Sequence, residues 1–202
     1  MTGPGQMLRR PLNPYLAALV SAVVLIGTLA LAIEQRAAIL RDGREILLKT
    51  EPVDPRDLMR GDYVRLGYTD LSSIDETLVT GPWPDRDTTI PVWLTLAPGE
   101  DGAFVARSAS FSRPETVAAE EVVLKSLPVR VTVAQPSGGL NAIGRLEFGI
   151  ERYYVPEGEG LEIEKAQNQG RTTVAVRISP DGAPQIARLM IDGETLYEEP
   201  LY

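Results

Sequence analysis

Two periodicities divide this sequence. From Tyr15 to Ile33 it reads YLAALVSAVVLIGTLALAI, nineteen residues without a charge. At about 1.5 Å per residue, such a helix nearly matches a hydrocarbon layer of about 30 Å. Helix formers continue through EQRAAILRDG, and Gly43 is placed to close the helix. Beyond it the pattern becomes alternating. REILLKT, YVRLGY, PVWLTLA, AFVARSASF, VVLKSLPVRVTV, GRLEFGIERYYV, RTTVAVRIS and PQIARLMID read as strands. GPWPDRD, APGEDG, QPSGGLNA, PEGEG and SPDGAP separate them with turn chemistry.

This pattern predicts a mainly β protein, with an N-terminal transmembrane helix followed by an antiparallel β sandwich or barrel-like domain. The expected divisions are a tail (1–14), the membrane helix (15–33), a helical stalk (34–43) and a β-rich soluble domain (44–202). SPDGAP is expected to join 172–179 to 185–192 as a hairpin. RPETVAAEEVV, residues 113–123, is a candidate helix with Pro114 in its first turn.

The apolar run is longer than the core of a signal peptide, so a retained anchor is expected, although Ala30-Leu31-Ala32 has the form of a cleavage site. Arg9 and Arg10 mark a tail without acids, while Arg36, Arg41, Arg44 and Lys49 lie on the other side. Long acidic domains translocate largely regardless of charge. The expected location is therefore the cell inner (cytoplasmic) membrane, with a single pass and the domain on the periplasmic or extracytoplasmic side.

Composition works by exclusion. A net charge of −8, with no basic tract beyond Arg9-Arg10, argues against nucleic acid as a partner. Cysteine and histidine are absent, which removes disulfides, Ser-His-Asp and Cys-His catalysis, and zinc sites that need either residue. No cofactor is expected.

The segment LMRGDYVRLGYTD, Leu58 to Asp70, carries the most pointed chemistry. Gly61-Asp62 is a turn pair that runs into an alternating strand. Val64, Leu66 and Tyr68 then share one face, and Tyr63 and Arg65 the other. Leu66 and Tyr68 read as core; Arg60, Asp62, Tyr63 and Arg65 read as a salt-bridged corner or a binding surface. In RLEFGIERYYVPEGEG, Leu146, Phe148, Ile150, Arg152 and Tyr154 fall on one alternating face, with Glu147, Glu151 and Tyr153 opposite. Arg152 is expected to approach Asp62 and join the two segments.

GDYVRLGY, Gly61 to Tyr68, resembles the motif that names the bacterial GDYXXLXY family, matching all its fixed positions. PVDPRDLMRGDYV and GIERYYVPEGEG are also of the kind seen there. The resemblance implies a membrane-anchored protein associated with multi-spanning membrane proteins. It implies no particular activity.

Other constellations carry less. Glu151, Glu157, Glu159, Glu162 and Glu164 form an acidic stretch without the ligand spacing of a calcium loop, so no metal site is expected. LMRGDYVRL has a faint likeness to the Gly-Asp hairpin of membrane signal peptidases, which use a Ser-Lys pair. Residues 34–60 hold no serine, only Thr50 beside Lys49. No catalytic residues are assigned. The sequence favours an accessory or binding module, with Arg60, Asp62, Tyr63, Arg65, Arg152, Tyr153 and Tyr154 as its candidate surface. The alternatives are a hydrolase on a signal-peptidase-like β framework, or small-ligand binding in a barrel mouth.

Overall fold

The computed structural model describes residues 13–52, 63–134 and 140–200. Helix α1 (Pro14–Asp42) runs unbroken for 29 residues. Asn13 starts it: its side-chain Oδ1 accepts from the Tyr15 amide at 3.0 Å, and proline follows at the first helical position. At the other end the Gly43 amide donates to the Ile39 carbonyl at 2.9 Å. A Cβ on Gly43 would lie 2.4 Å from that carbonyl oxygen, so glycine is required there for close approach. The Arg177 guanidinium caps the Leu40 carbonyl, one of the acceptors a helix end leaves without an internal partner.

The chain falls into two compact units, residues 1–38 and 39–202. In the first, every described residue from 13 to 36 is exposed, including Leu25 at 69% and Ile26 at 68%. Helix α1 is, among the described residues, the one helix long and apolar enough to cross a membrane, with a mean hydropathy of 2.7 in its richest window.

The second unit is mainly β. Its elements are β1 (Arg44–Lys49), β2 (Tyr63–Arg65), α2 (Thr69–Ser72), a 3₁₀ turn at Glu76–Leu78, β3 (Thr88–Ile90), β4 (Trp93–Pro98), β5 (Phe104–Ser110), β6 (Val122–Lys125), β7 (Val129–Thr132) and β8 (Ala142–Ile143). There follow β9 (Arg152–Tyr154), α3 (Gly160–Asn168), β10 (Thr172–Ile178), β11 (Pro184–Ile191) and β12 (Glu194–Glu198). The sheets have the orders β1-β10-β11-β12, β5-β4-β6, β3-β7-β8 and β2-β9, all antiparallel. The mainly β, antiparallel expectation holds; among the described residues no sheet closes into a barrel.

One core cluster unites the sheets, with Ile46, Leu48, Val64, Leu66, Leu94, Leu124, Leu146, Val174 and Leu189 almost wholly buried. Burial of each such side chain contributes about 1.5–3 kcal/mol. Strand β1 alternates as expected of a strand with one covered face, whereas Val174, Ala175 and Val176 in β10 are all buried, covered on both faces. SPDGAP does turn β10 into β11. Gly182 in that turn has φ +84°, and its carbonyl accepts from the Lys125 amide at 2.9 Å, pressing the hairpin against β6.

Three sequence expectations change. VVLKSLPVRVTV is two strands in different sheets, because Pro128 has no N–H to give a ladder and Ser126 Oγ bonds the Val92 amide at 2.8 Å. Residues 113–123 form no helix. Arg44 instead takes three successive carbonyls there, those of Ala119, Glu120 and Glu121, at 2.6, 2.8 and 2.9 Å. Helix α3 lies where only an acidic stretch was expected, burying Ile163, Ala166 and Gln167 at helical spacing.

Candidate functional site

Strand β2 sorts its side chains as alternation predicts. Val64 is 0% exposed, Tyr63 half-buried and Arg65 exposed. Past the strand Leu66 and Tyr68 are both in the core. The Tyr68 hydroxyl donates to the Ile150 carbonyl at 2.9 Å, and burial, with the Glu151 carboxylate adding to it, pushes the phenol well above its ordinary range. Gln167, on α3 and 2% exposed, donates from Nε2 to the carbonyls of Glu51 (2.6 Å) and Arg65 (3.1 Å). Thus α3 holds the backbone of the first segment from behind.

The second segment meets the first directly. Strand β9 pairs with β2 in the register Tyr63↔Tyr154, Val64↔Tyr153, Arg65↔Arg152. Residues opposite one another in a ladder share a face, so Tyr63, Arg65, Arg152 and Tyr154 stand together on the outer side. The rings of Tyr63 and Tyr154 are 6.1 Å apart, and the Arg152 guanidinium lies 5.7 Å from the Tyr63 ring centroid. That distance is within cation–π range.

This reverses part of the expected pattern. Leu146, Phe148 and Ile150 are buried, but Arg152 and Tyr154 are exposed, and it is Tyr153 that turns inward at 6% exposure. The phase inverts in a turn. Gly149 adopts φ +81°, and the Glu151 carboxylate accepts the amides of Phe148 (2.5 Å) and Gly149 (2.9 Å). Tyr153 then packs 6.1 Å from Tyr197, its phenol raised by burial and by the neighbouring Glu199 carboxylate. It belongs to the core and not to the surface. Arg60, Asp62 and the expected Asp62–Arg152 approach lie outside the described residues.

Beside the β2–β9 ribbon lies a cleft of about 390 Å³ whose lining includes Arg65, Arg145, Arg152, Glu147 and Glu151. Phe148, Leu146 and Leu127 supply apolar wall, and Leu127 is 47% exposed. Ser72 also lines it; its Oγ is buried and has no hydrogen-bond partner. Among the described residues none of the three arginines forms a salt bridge, whereas Arg130, Arg171, Arg177 and Arg188 each do. Sequence reasoning missed Arg145, whose only signal was its place beside the alternating Leu146. It also missed Gln167, for which the sequence carries no signal.

The other candidates assemble differently. Thr50 is buried and its hydroxyl donates to the Thr172 carbonyl at 3.0 Å. Lys49 turns outward to pair with Asp101, which raises the amine and lowers the carboxyl. Lys125 lies over Trp93 at 5.1 Å. Among the described residues no serine or threonine hydroxyl is hydrogen-bonded to a lysine, and no three acidic side chains group as a metal-binding set.

The model of the GDYXXLXY protein family matches residues 25–189, which takes in the later part of helix α1, both ribbon strands and the chain as far as Leu189 in β11. No curated protein and no solved structure matches the chain. The match extends over most of the sequence, and the ribbon is built from the motif after which the family is called: this chain belongs to the GDYXXLXY family.

Proposed function

We propose that this protein is a membrane-anchored binding module. Its soluble domain lies on the extracytoplasmic side of the cytoplasmic membrane and recognises a multi-spanning membrane protein. The observation that carries the reading is the convergence of the two motif segments on one exposed face of Tyr63, Arg65, Arg152 and Tyr154. Tyrosine and arginine are the side chains that most often anchor protein interfaces. The uncovered apolar length of α1 supports the anchor, because so much exposed hydrocarbon surface is stable only in an apolar solvent. Anchoring confines module and partner to the same membrane, which raises their effective concentration without further contacts. Among the described residues no hydroxyl is hydrogen-bonded to a lysine, which gives the hydrolase alternative no support.

A photoreactive amino acid placed at Tyr154 in the full chain, in living cells, tests this. Irradiation is expected to capture a multi-spanning membrane protein, with capture lost on Arg65→Glu. Capture of soluble proteins alone, or of nothing, overturns the reading. A reporter active only outside the cytoplasm, fused after Tyr202, is expected to be active.

A further inference from the structure

Resting on the module reading, we infer that the cleft of Arg65, Arg145 and Arg152 binds a carboxylate side chain of the partner. The partner then docks through an acidic residue flanked by apolar ones. Arg65 and Arg152 stand directly opposite across β2 and β9. The Leu66 amide bonds the Glu151 carbonyl at 2.9 Å, so the next pair along, Arg65 and Arg152, is the non-hydrogen-bonded type, where side chains are closest. Like charges so placed destabilise a sheet. Arg152 relieves part of this by leaning over Tyr63, and among the described residues neither cation forms a salt bridge.

Charge on the cleft wall sets the ligand. Among the described residues that line the cleft, three are arginines and two are glutamates, Glu147 and Glu151, and both oxygens of Glu151 are already engaged by backbone amides. The excess is one positive charge, which suits a single carboxylate better than a phosphate dianion. Guanidinium forks bind carboxylates in two-point geometry. Leu127, Leu146 and Phe148 supply apolar contact for the residues on either side of the acid. An anionic bilayer is disfavoured as occupant because the protein carries −8 overall and Glu157 and Glu159 follow closely on Tyr154.

The full chain in neutral phosphatidylcholine nanodiscs, labelled with ¹⁵N-arginine, tests the site. The probes are acetyl-Leu-Glu-Leu-amide, acetyl-Leu-Gln-Leu-amide, inorganic phosphate, and nanodiscs containing phosphatidylglycerol. The glutamate peptide is expected to shift the Nε–H signals of Arg65 and Arg152 saturably, and the glutamine peptide is not. The Arg65→Gln/Arg152→Gln double variant should weaken binding by about tenfold or more while leaving the unfolding midpoint unchanged or raised. Absence of a saturable shift, equal shifts with the glutamine peptide, or stronger binding of phosphate or phosphatidylglycerol each overturns the inference. The cross-linking experiment separates the two levels. A captured membrane protein whose contacting segment lacks a carboxylate removes this inference and leaves the module reading, whereas capture of no membrane protein removes the module reading and this inference with it.

Discussion

Arg65 and Arg152 face each other across the β2–β9 ribbon, two cations on one exposed face of a protein with an acidic balance. Such an opposition opposes folding slightly and is removed by any anion that lies between the two groups. Stability and recognition therefore pull in opposite directions at this pair.

Arg65→Glu separates them. It places a carboxylate opposite Arg152, and a cross-strand pair of opposite charge contributes about 0.2–1 kcal/mol. Thermal unfolding of the full chain in micelles should show a small rise in midpoint. Cross-linking from Tyr154 should be lost in the same variant. A lower midpoint together with retained capture contradicts the role assigned to the pair.

Gln167→Met keeps the volume and removes the donor that serves Glu51 and Arg65. Two part-buried carbonyls then lose this donor, although that of Glu51 keeps the Gly67 amide, at a cost of about 1 kcal/mol. Hydrogen exchange should quicken in β2 more than in β10. Uniform acceleration throughout the domain indicates that Gln167 has no special link to the ribbon.

Tyr68 governs behaviour in alkali. The unfolded chain ionises its tyrosines near pH 10 (about the reference value), while the folded phenol, raised by burial, stays protonated. Its contribution is thus present in full below that pH and is lost as pH rises toward the higher folded value. Tyr153 shifts in the same direction. Tyr68→Phe should lower stability at neutral pH by about 1 kcal/mol through the lost bond to Ile150 and should flatten the alkaline decline. Denaturant midpoints measured at pH 7 and at high pH decide it; an unchanged alkaline slope sinks the assignment.

Gly43→Ala puts a methyl group against the Ile39 carbonyl oxygen, beside the Arg177 Cβ and the Ile178 amide at 3.1 and 3.2 Å. Backbone atoms do not yield as a flexible side chain does. A loss of about 1–3 kcal/mol is expected from overpacking. A variant as stable as the parent shows that the helix end and β10 can separate freely.

Much of this architecture follows from local order. The charge-free run became α1, REILLKT became β1, and SPDGAP became the β10–β11 turn, because each depends on neighbours a few residues away. The inward faces of Val64, Leu66 and Tyr68 followed from alternation alone. Alternation failed beyond Ile150, where Glu151 ties down two amides and Gly149 takes a left-handed turn. A pattern read straight through that turn assigns Arg152, Tyr153 and Tyr154 to the wrong sides. Residues 113–123 have helical composition but form no helix, and the carbonyls of 119–121 are tied to Arg44, more than seventy positions earlier.

The amino-acid order by itself determined the apolar helix, the β character, the excluded chemistries and the family motif, since all of these are set by composition and short spacings. Only the tertiary structure decided that the two tyrosine-rich segments pair, which side of the ribbon each residue takes, and that Arg145 joins Arg65 and Arg152 around one cleft. Those outcomes depend on contacts between residues about 80 positions apart in the chain, where the register of a ladder and the direction of a single turn decide which side chains meet.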